Sequence, residues 1–485
     1  MFIALIGTAL RSWPITARSL WFDESFSWRL IQFPWTEIVS RTAADVHPPL
    51  YYFLLKAWSL VFGTSLLALR SFSVLGAAVT TIVIYDFTSS AFSRRAGILS
   101  AAFFALSAWQ IPYAWEARMY TLGTALAVLS AWFLLKAVSS SSLKFWIGYV
   151  VSAAAFLYVH NFAIFTLFAQ GIFLLIMVWQ RKVKWISFAS FLAIFILYLP
   201  WLPTLIGQTR QVQASYWVPP LTRWSLPDAL YHFMIPTNQA LAHSGPGLVF
   251  TLLPSVALIL LLWFLLARPV ARERPGALLT LLCFVVPIAA AISLSLVSQS
   301  VYQERFLVFA QLWFWVALAA VISKLRPRLG WPAAILICLA LMAVFAVYWR
   351  ELDIDGRPGV QAAVAEVEES QKSPEPVYVS SSFIFLPVLF YEGKPLAAPE
   401  AAKLVGDAKE LTHFAGGPVI LPSEIVSPAE LAGSSAESLW LIDTTGFGGR
   451  VTELSAPWKL RDRKSFPEVY AYQGDVIVSQ WARPH

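Results

Sequence analysis

The sequence predicts a polytopic α-helical membrane protein with about eleven transmembrane helices and a small C-terminal extracytoplasmic α/β domain. Of its 485 residues, 58% are hydrophobic and only 13% are charged, and the mean hydropathy is +0.64. Apolar windows recur between charged or Pro/Gly-rich breaks, and they have the roughly 20-residue length that a helix needs to cross the hydrocarbon core. Beyond residue 349 the apolar runs become too short to span, which indicates a separate domain.

The apolar windows define the predicted spans one by one. They cover residues 1–13, 66–90, 96–115, 119–138, 144–160, 161–179, 185–206, 246–267, 277–297, 306–323 and 331–349. The first is short, so we expect either a true start upstream of Met1 or a helix that is only partly represented. A cleavable signal peptide is disfavoured because a basic n-region and an A-x-A site are missing.

Lys and Arg residues fall in alternate loops, and positively charged loops stay in the cytoplasm. They are Arg94 and Arg95; Lys136 and Lys144; Arg181, Lys182 and Lys184; Arg268, Arg272 and Arg274; and Lys324, Arg326 and Arg328. The loops 14–65, 116–118, 207–245 and 298–305 would then face outside, together with the C-terminal tail. We therefore predict a multi-pass protein of the plasma (inner) membrane. The net charge of +7 reflects this topology, and no nucleic-acid partner is expected.

The predicted topology requires that the apolar stretch 49–63, PLYYFLLKAWSLVFG, does not cross the membrane. We interpret it as a helix in the outer interface, with Tyr51, Tyr52 and Trp58 at headgroup depth and Lys56 reaching toward the headgroups. A crossing at this point would move every later basic loop outside, against the positive-inside rule.

The domain organisation follows from the change in composition near residue 349: residues 1–349 are predicted to form the membrane module and 350–485 the external domain. In the external domain, PGVQAAVAEVEES reads as a helix, whereas PVYVSS, GPVIL, SLWLID and EVYAY read as strands. Its glycines do not form a G-x-G-x-x-G motif, so a nucleotide site is not supported. Cys283 and Cys338 both lie in predicted spans and read as small core residues.

Polar residues cluster at the outer ends of the predicted spans. The first external loop carries adjacent acids, Asp23 and Glu24, followed by Asp45 and His47 before two prolines. Other external junctions carry Glu116, Arg118 and Tyr120; His160 and Asn161; and Tyr302, Glu304 and Arg305. One topology places them all on the same side of the membrane, which favours a single site.

These residue types suit transfer from a lipid-linked phosphate. A carboxylate can deprotonate a hydroxyl or hold a divalent cation, and Arg and His can bind a phosphate group. A polyprenyl chain would lie between the helices, with its phosphate at the level of the outer headgroups. A donor of this kind would meet the acids where the motifs cluster.

Several strings carry a family resemblance. WFDESFS, HPPLYYFLLKAW with ALRSFSVLGA, WEARMYTL and YVHNFAIF occur in that order over roughly residues 20–170, and ERFLVF precedes a late span. Together they resemble the C-type (GT-C) membrane glycosyltransferases, in particular glycosyltransferase family 39, the protein O-mannosyltransferases and the lipid A aminoarabinose transferases. The resemblance implies a polyprenyl-phosphate-linked sugar donor, an acidic catalytic first external loop, and transfer that inverts the anomeric carbon in one displacement.

The resemblance implies catalytic roles for three acids. Asp23 matches the catalytic acidic position and would be the general base toward the acceptor hydroxyl. Glu24 would orient the acceptor or the loop, and Asp45 would assist or help to bind a metal. Members of the family differ in metal use, so no cofactor is assigned and a divalent metal ion is left open.

The resemblance also implies a donor pocket. Arg118, with Arg305 as partner, would stabilise the charge on the leaving phosphate, and His47, Tyr120 and His160 would line the pocket. The acceptor is left open between a protein hydroxyl, a lipid and a polysaccharide. Its recognition is expected in the tail and in the loop 207–245, where Trp217 or Trp224 is a candidate for sugar stacking.

Structural readings of the same residues remain open. An Asp-Glu pair also occurs in solvated loops and at helix N-termini. His47 or His160 could be a structural residue, and Arg118 could pair with Glu116 or Glu304 or contact headgroups.

Two other protein classes are also open. A transporter should show internal repeats and charges at mid-membrane, and a scaffold with an external binding domain should tolerate loss of Asp23.

Overall fold

The structure is a computed structural model that describes the chain except residues 1, 141, 215–217, 238–240, 268–269, 372–373, 470–472 and 484–485. Arg268 and Trp217 therefore lie outside the described residues.

The α-helices are α1 (Phe2–Ser12), α2 (Phe22–Leu30), α3 (Trp35–Ala44), α4 (Leu50–Phe62), α5 (Leu66–Ala91), α6 (Arg94–Leu106), α7 (Tyr120–Ser140), α8 (Leu143–Val159), α9 (Ala163–Trp179), α10 (Ala189–Tyr198), α11 (Leu202–Ala214), α12 (Ser225–His232), α13 (Gly247–Ala267), α14 (Arg274–Val297), α15 (Val308–Ser323), α16 (Pro327–Leu352), α17 (Gly359–Ser370), α18 (Ser382–Glu392) and α19 (Pro428–Ala432).

Each of the eleven predicted spans coincides with a helical segment, and the predicted fold class is confirmed. Within the described residues, six helical segments are each long and apolar enough to cross a membrane. They are Leu66–Ala91, Tyr120–Ser140, Trp185–Val212, Arg274–Val297, Glu304–Ser323 and Pro327–Leu352. The shorter apolar helices α1, α8 and α9 and the apolar part of α13 match further predicted spans.

The predicted span 96–115 is too long at its C-terminal end. Helix α6 ends at Leu106, and a single 3-10 turn forms at Pro112–Trp115. Helix α6 ends because the residue that follows it, Ser107, has extended backbone, and further along the chain Pro112 has no N–H with which to continue an α-helical ladder. The segment that leads to Arg118 is therefore a compact turn rather than the end of a helix.

The chain folds as two compact units. The first comprises Met1–Trp13, His47–Tyr51 and Arg70–Trp349, and the second comprises Pro14–Val46, Tyr52–Leu69 and Arg350–His485. Most of the predicted external loop 14–65 thus belongs to the same unit as the C-terminal domain.

Large apolar side chains fill the core of the first unit around α15. Trp313 and Trp315 are fully buried, and the ring of Phe87 meets Trp313 edge-on at 5.0 Å. Arg11 in the last turn of α1 donates from Nη1 to the carbonyl of Ala105 (2.8 Å) and from Nη2 to that of Phe104 (3.1 Å). The bond to Ala105 satisfies a carbonyl at the end of α6, whereas the Phe104 carbonyl also accepts the amide of Ser107 at 3.2 Å.

The second unit contains a six-stranded mixed sheet. Its strands are β1 (Val377–Val379), β2 (Lys403–Val405), β3 (Ile425–Val426), β4 (Ser438–Thr444), β5 (Lys459–Pro467) and β6 (Asp475–Ala482), in the spatial order β3-β2-β1-β4-β6-β5. Strands β1 to β4 pair in parallel, whereas β6 is antiparallel to both β4 and β5. The arrangement confirms a small C-terminal α/β fold.

The finer predictions for this domain have mixed outcomes. The helix at 358–370 is α17, and the strands at 376–381 and 438–443 are β1 and β4. The strand at GPVIL is wrong: Gly416 has φ of +87°, and the amides of Val419 and Ile420 donate back to its carbonyl in a turn. The predicted strand EVYAY is not a strand at Glu468 and Val469, and its last three residues lie outside the described part of the chain.

The segment 14–65, predicted to be the first external loop, contains helices α2, α3 and α4. Helix α4 measures about 20 Å at 1.5 Å per residue, short of the bilayer core, and its interfacial position remains a prediction. Tyr51 and Tyr52 are both fully buried in the protein, and their position at headgroup depth remains a prediction. The ammonium of Lys56 donates to the carbonyls of Ile31 (2.9 Å) and Phe33, which follow α2.

Helix α18 packs against α2 inside the second unit. The rings of Phe22 and Phe383 lie 5.0 Å apart, and the Leu20 amide donates to the Tyr391 hydroxyl at 2.7 Å. Arg29, in the last turn of α2, forms a buried ion pair with Glu424. The C-terminal domain therefore holds the helix that carries the acid pair.

We expect Arg29→Met to lower the free energy of unfolding by about 3–5 kcal/mol, because it leaves the Glu424 carboxylate buried without its cation. The double variant Arg29→Met/Glu424→Gln should recover much of this loss. The substituted side chain is neutral, and its amide oxygen can still accept the Leu421 amide that Glu424 accepts at 2.8 Å. Thermal unfolding of the purified proteins checks this. Equal losses in the single and double variants would contradict it.

Candidate functional site

Asp23 and Glu24 lie in the first turn of α2. The preceding residue, Trp21, is extended and gives no side-chain cap, and its carbonyl accepts the amide of Glu24 at 3.1 Å. Carboxylates in the first turn of a helix are stabilised by the helix dipole. This position alone is thus also compatible with the structural reading of the acid pair.

The two adjacent acids have different environments. Glu24 is fully buried, and its Oε2 lies 3.8 Å from Nη2 of Arg18, which is buried as well. Asp23 is half-buried. Burial and an ion pair fix Glu24 in place, whereas Asp23 keeps accessible surface. Asp45 is buried at the C-terminal end of α3, in extended backbone.

A second group of predicted residues meets in the first unit, beginning with Arg118 and His47. Nη2 of Arg118, itself buried, lies 3.2 Å from Nε2 of His47. Because a guanidinium can only donate, Nε2 of His47 accepts, and the neutral ring carries its proton on Nδ1. Ser73 Oγ donates to the carbonyl of Glu116 at 2.6 Å and so anchors the turn that presents Arg118.

His160 follows α8 directly and is almost completely buried. Its Nδ1 accepts the amide of Phe162 at 3.1 Å, so the neutral ring carries its proton on Nε2. That Nε2 has no hydrogen-bond partner among the described residues. A buried donor without a partner is costly in a folded protein, and a bound ligand is one explanation for its retention.

The surroundings of His160 keep it neutral. The rings of Phe309 and Phe306 lie 4.9 and 5.6 Å away, and that of Tyr120 lies 6.0 Å away. Burial, followed by the charge interactions with His47, Arg118 and Arg305, lowers the pKa of His160 well below its ordinary value. His160 is therefore a neutral hydrogen-bond donor at neutral pH.

The lowered pKa of His160 predicts a pH effect on stability. Below about pH 6.5 the unfolded chain protonates this ring whereas the folded protein does not, so stability is lost as the pH falls. The contribution is up to about 1.4 kcal/mol per pH unit below that value. Thermal unfolding from pH 7.5 to 5 should destabilise the wild type more steeply than His160→Gln. Parallel curves would contradict the buried, neutral state.

Arg305 lies in the 3-10 turn Glu304–Leu307, where its guanidinium packs 5.6 Å from the ring of Phe306. Its charge acts on His160, as does that of Arg118. The structure thus brings together His47, Arg118, Tyr120, His160 and Arg305 in the first unit. We call these five residues the cationic cluster. The three acids Asp23, Glu24 and Asp45 belong to the second unit.

Several residues at these positions were not predicted from the sequence. Tyr113 packs on Tyr120 at 5.2 Å, and burial, followed by the charge of Glu116, raises the pKa of Tyr113 well above its ordinary value. Glu304 accepts from His232 Nδ1 at 2.7 Å, and His232 stacks parallel to Trp109. Arg18 carries a weak sequence signal, a cation near an acid pair. His232 carries no such signal, because its partner Glu304, which the sequence does single out, lies 72 residues away.

The described residues contain no group of three or more His, Cys, Asp or Glu side chains close enough to hold a metal ion. Cys283 and Cys338 are free thiols in α14 and α16; Cys283 is fully buried, as predicted for a core residue, whereas Cys338 is half-buried. We therefore derive no step through a metal.

Comparison with known proteins agrees with the fold. Residues 46–203 match the family model described as dolichyl-phosphate-mannose-protein mannosyltransferase. The structure is similar to ArnT from Cupriavidus metallidurans bound to undecaprenyl phosphate, with a TM-score of 0.63 and 11% sequence identity over 99% of this chain and 97% of that one. The apo state of ArnT gives a TM-score of 0.64 at 11% identity, with the same coverage. No match is found among curated protein sequences.

A more distant similarity is to the oligosaccharyltransferase of Archaeoglobus fulgidus, solved in complex with Zn and sulfate. The TM-score is 0.52 at 13% identity, over 91% of this chain and 67% of that one. The chain has the fold of the C-type membrane glycosyltransferases. The resemblance stated from the sequence motifs is thereby confirmed, and a membrane location is supported.

Proposed function

We propose that this protein is a membrane glycosyltransferase that moves a sugar from a polyprenyl-phosphate-linked donor to an acceptor hydroxyl on the outer face of the membrane. The observation that carries the proposal is the cationic cluster, in which Arg118 and the unpartnered Nε2–H of His160 are buried. Buried cations and neutral donors together suit a phosphate group. The fold shared with ArnT, which was solved with undecaprenyl phosphate, supports the same ligand class.

In this reaction the acceptor oxygen attacks the anomeric carbon and the bond from that carbon to the phosphate oxygen breaks. The electron pair of the broken bond moves onto the phosphate, and the anomeric centre inverts. Arg118 and Arg305 would stabilise the negative charge that develops on the phosphate, and His160 would donate a hydrogen bond to the same phosphate. His47 would hold the guanidinium of Arg118 in orientation through the 3.2 Å contact. Tyr120 would line the pocket.

The acids would act on the acceptor. Asp23 would take the hydroxyl proton as the bond forms, which is the role of a general base. Its half-exposed position leaves it accessible, whereas buried Glu24, paired with Arg18, would fix the helix turn that presents Asp23. Asp45 would assist, two residues before His47 in the chain.

The segment 207–245 is the proposed acceptor-recognition element. Its described residues form short ordered pieces: Tyr302 donates to the Ser225 carbonyl at 3.0 Å, and His243 contacts the Asp228 carboxylate at 2.9 Å. Trp224 stacks on His243 with ring centroids 4.4 Å apart, so one face of this candidate sugar platform is already covered.

A transfer assay tests the proposed function. Purified protein in nanodiscs is incubated with radiolabelled polyprenyl-phosphate sugars, one sugar at a time, and with extracted envelope lipids, polysaccharides and proteins. We expect label to pass from one donor to one acceptor class. Failure with every donor and every acceptor class would overturn the proposal.

A further inference from the structure

A large groove opens in the first unit at the end of the α8–α9 hairpin opposite His160. Its volume is about 1780 Å³, and α8, α9 and the segment 181–193 line it. This volume exceeds the roughly 300–1,000 Å³ of small-molecule sites. Since it is lined by the first residues of α8 and the last of α9, it is separate from the cationic cluster, which includes the residue that follows α8.

The walls of the groove are apolar and its rim is basic. Ile147 and Leu175 are exposed on the walls, and Trp179 and Trp185 are exposed near the loop that joins α9 to α10. Arg181, Lys182 and Lys184 lie on that loop, and the groove has no acidic lining residue among those described. The side chains of these three cations make no ion pair with any described residue.

The backbone at Arg181 gives a second, independent observation. Helix α9 ends with the Lys182 amide donating to the Met177 carbonyl (2.9 Å) and the Arg181 amide donating to the Val178 carbonyl (2.8 Å). In this type of helix end the residue at the position of Arg181 is left-handed and is usually glycine. Arg181 has φ of +56°. A cationic residue, Arg181, thus occupies a position at which the backbone conformation alone favours glycine.

We propose that this groove binds an anionic diacyl phospholipid of the bilayer. Its acyl chains would lie against the apolar walls, and its phosphate headgroup would contact Arg181, Lys182 and Lys184. Charge complementarity and the size of the groove select this occupant, because clustered Lys and Arg beside apolar helices attract anionic headgroups. The proposal does not depend on the transferase reaction.

The test is lipid binding to the purified full-length protein in neutral detergent. Phosphatidylglycerol is titrated and compared with phosphatidylcholine of the same acyl chains, by native mass spectrometry and thermal unfolding. We expect preferential retention of phosphatidylglycerol and a higher melting temperature with it. In Arg181→Gly/Lys182→Gln/Lys184→Gln the affinity should fall about 100-fold. Arg181→Gly alone should weaken binding severalfold without lowering the melting temperature in phosphatidylcholine.

Two control variants separate the groove from general surface charge. Arg326→Gln/Arg328→Gln removes two exposed cations from another basic loop and should leave phosphatidylglycerol affinity unchanged. Ala193→Trp fills the groove, keeps the three cations and should weaken lipid binding. Equal binding of both lipids, or equal losses in the triple variant and in Arg326→Gln/Arg328→Gln, would overturn the proposal.

Discussion

Asp23→Asn is expected to lower the turnover number of sugar transfer about 10²–10⁴-fold and to leave donor binding and thermal stability near wild type. The amide occupies the same space but cannot accept the acceptor's proton, and a positioned general base contributes a factor of this size. Asp23 is half-buried in the first turn of α2, so the substitution removes little packing. Initial rates at saturating donor and acceptor, with donor affinity measured separately, check the expectation.

Two further variants serve as comparisons for Asp23→Asn. Asp86→Asn changes an exposed aspartate near the C-terminal end of α5 and should leave transfer unaffected. Glu24→Gln should lower thermal stability as well as activity, because it weakens the buried contact with Arg18. Undiminished transfer by Asp23→Asn would move the base to Glu24 or Asp45.

Arg118→Gln is expected to lower the turnover number about 10²–10³-fold, the cost of removing one preorganised charge partner of a developing anion. Donor affinity should also fall, because the guanidinium would already contact the phosphate in the ground state. The Michaelis constant for the acceptor should not change. Kinetics with donor and acceptor varied independently separate these effects.

Arg118→Lys should restore only part of the activity. Lys keeps the charge, but it lacks the planar fork that can hold the phosphate and contact His47 Nε2 together. Arg328→Gln, which removes an exposed cation, is the matched control and should behave as the wild type. A rate loss in Arg118→Gln with unchanged donor affinity would argue against phosphate binding in the ground state.

The membrane architecture is predictable from sequence because its signals are local. Apolar length and the positions of basic residues depend only on neighbouring residues, and the predicted spans coincide with helices in the structure. Even here hydropathy does not capture the local backbone, since α6 ends at Leu106 and the apolar residues further along form a turn at Pro112–Trp115.

The C-terminal domain is less predictable because short apolar runs are ambiguous. The run at Ser382–Glu392 is helix α18, to which no structure was assigned from sequence, whereas the apolar run at 417–421 is a turn rather than a strand. Tertiary contacts decide such cases: α18 packs its aromatic side chains on α2.

Ordered motifs indicated the cationic cluster but not its hydrogen bonds. His47, Arg118 and His160 stand far apart in the chain, and only the folded structure reveals that His47 accepts from Arg118 or that Nδ1 of His160 accepts from Phe162. The burial that makes His160 a neutral donor is equally a tertiary property. The sequence therefore identifies which residue types form the cluster, whereas their protonation states and side-chain orientations require the folded structure.

The most direct test of the central claim is the fate of the donor. Purified protein in nanodiscs is mixed with each polyprenyl-phosphate sugar and its acceptor, and the released polyprenyl phosphate is quantified by mass spectrometry while the product anomer is determined by NMR. We predict equal amounts of polyprenyl phosphate and glycosylated product of inverted configuration, with both lost in Asp23→Asn. Release of polyprenyl phosphate that survives in Asp23→Asn, or a product of retained configuration, would contradict the account.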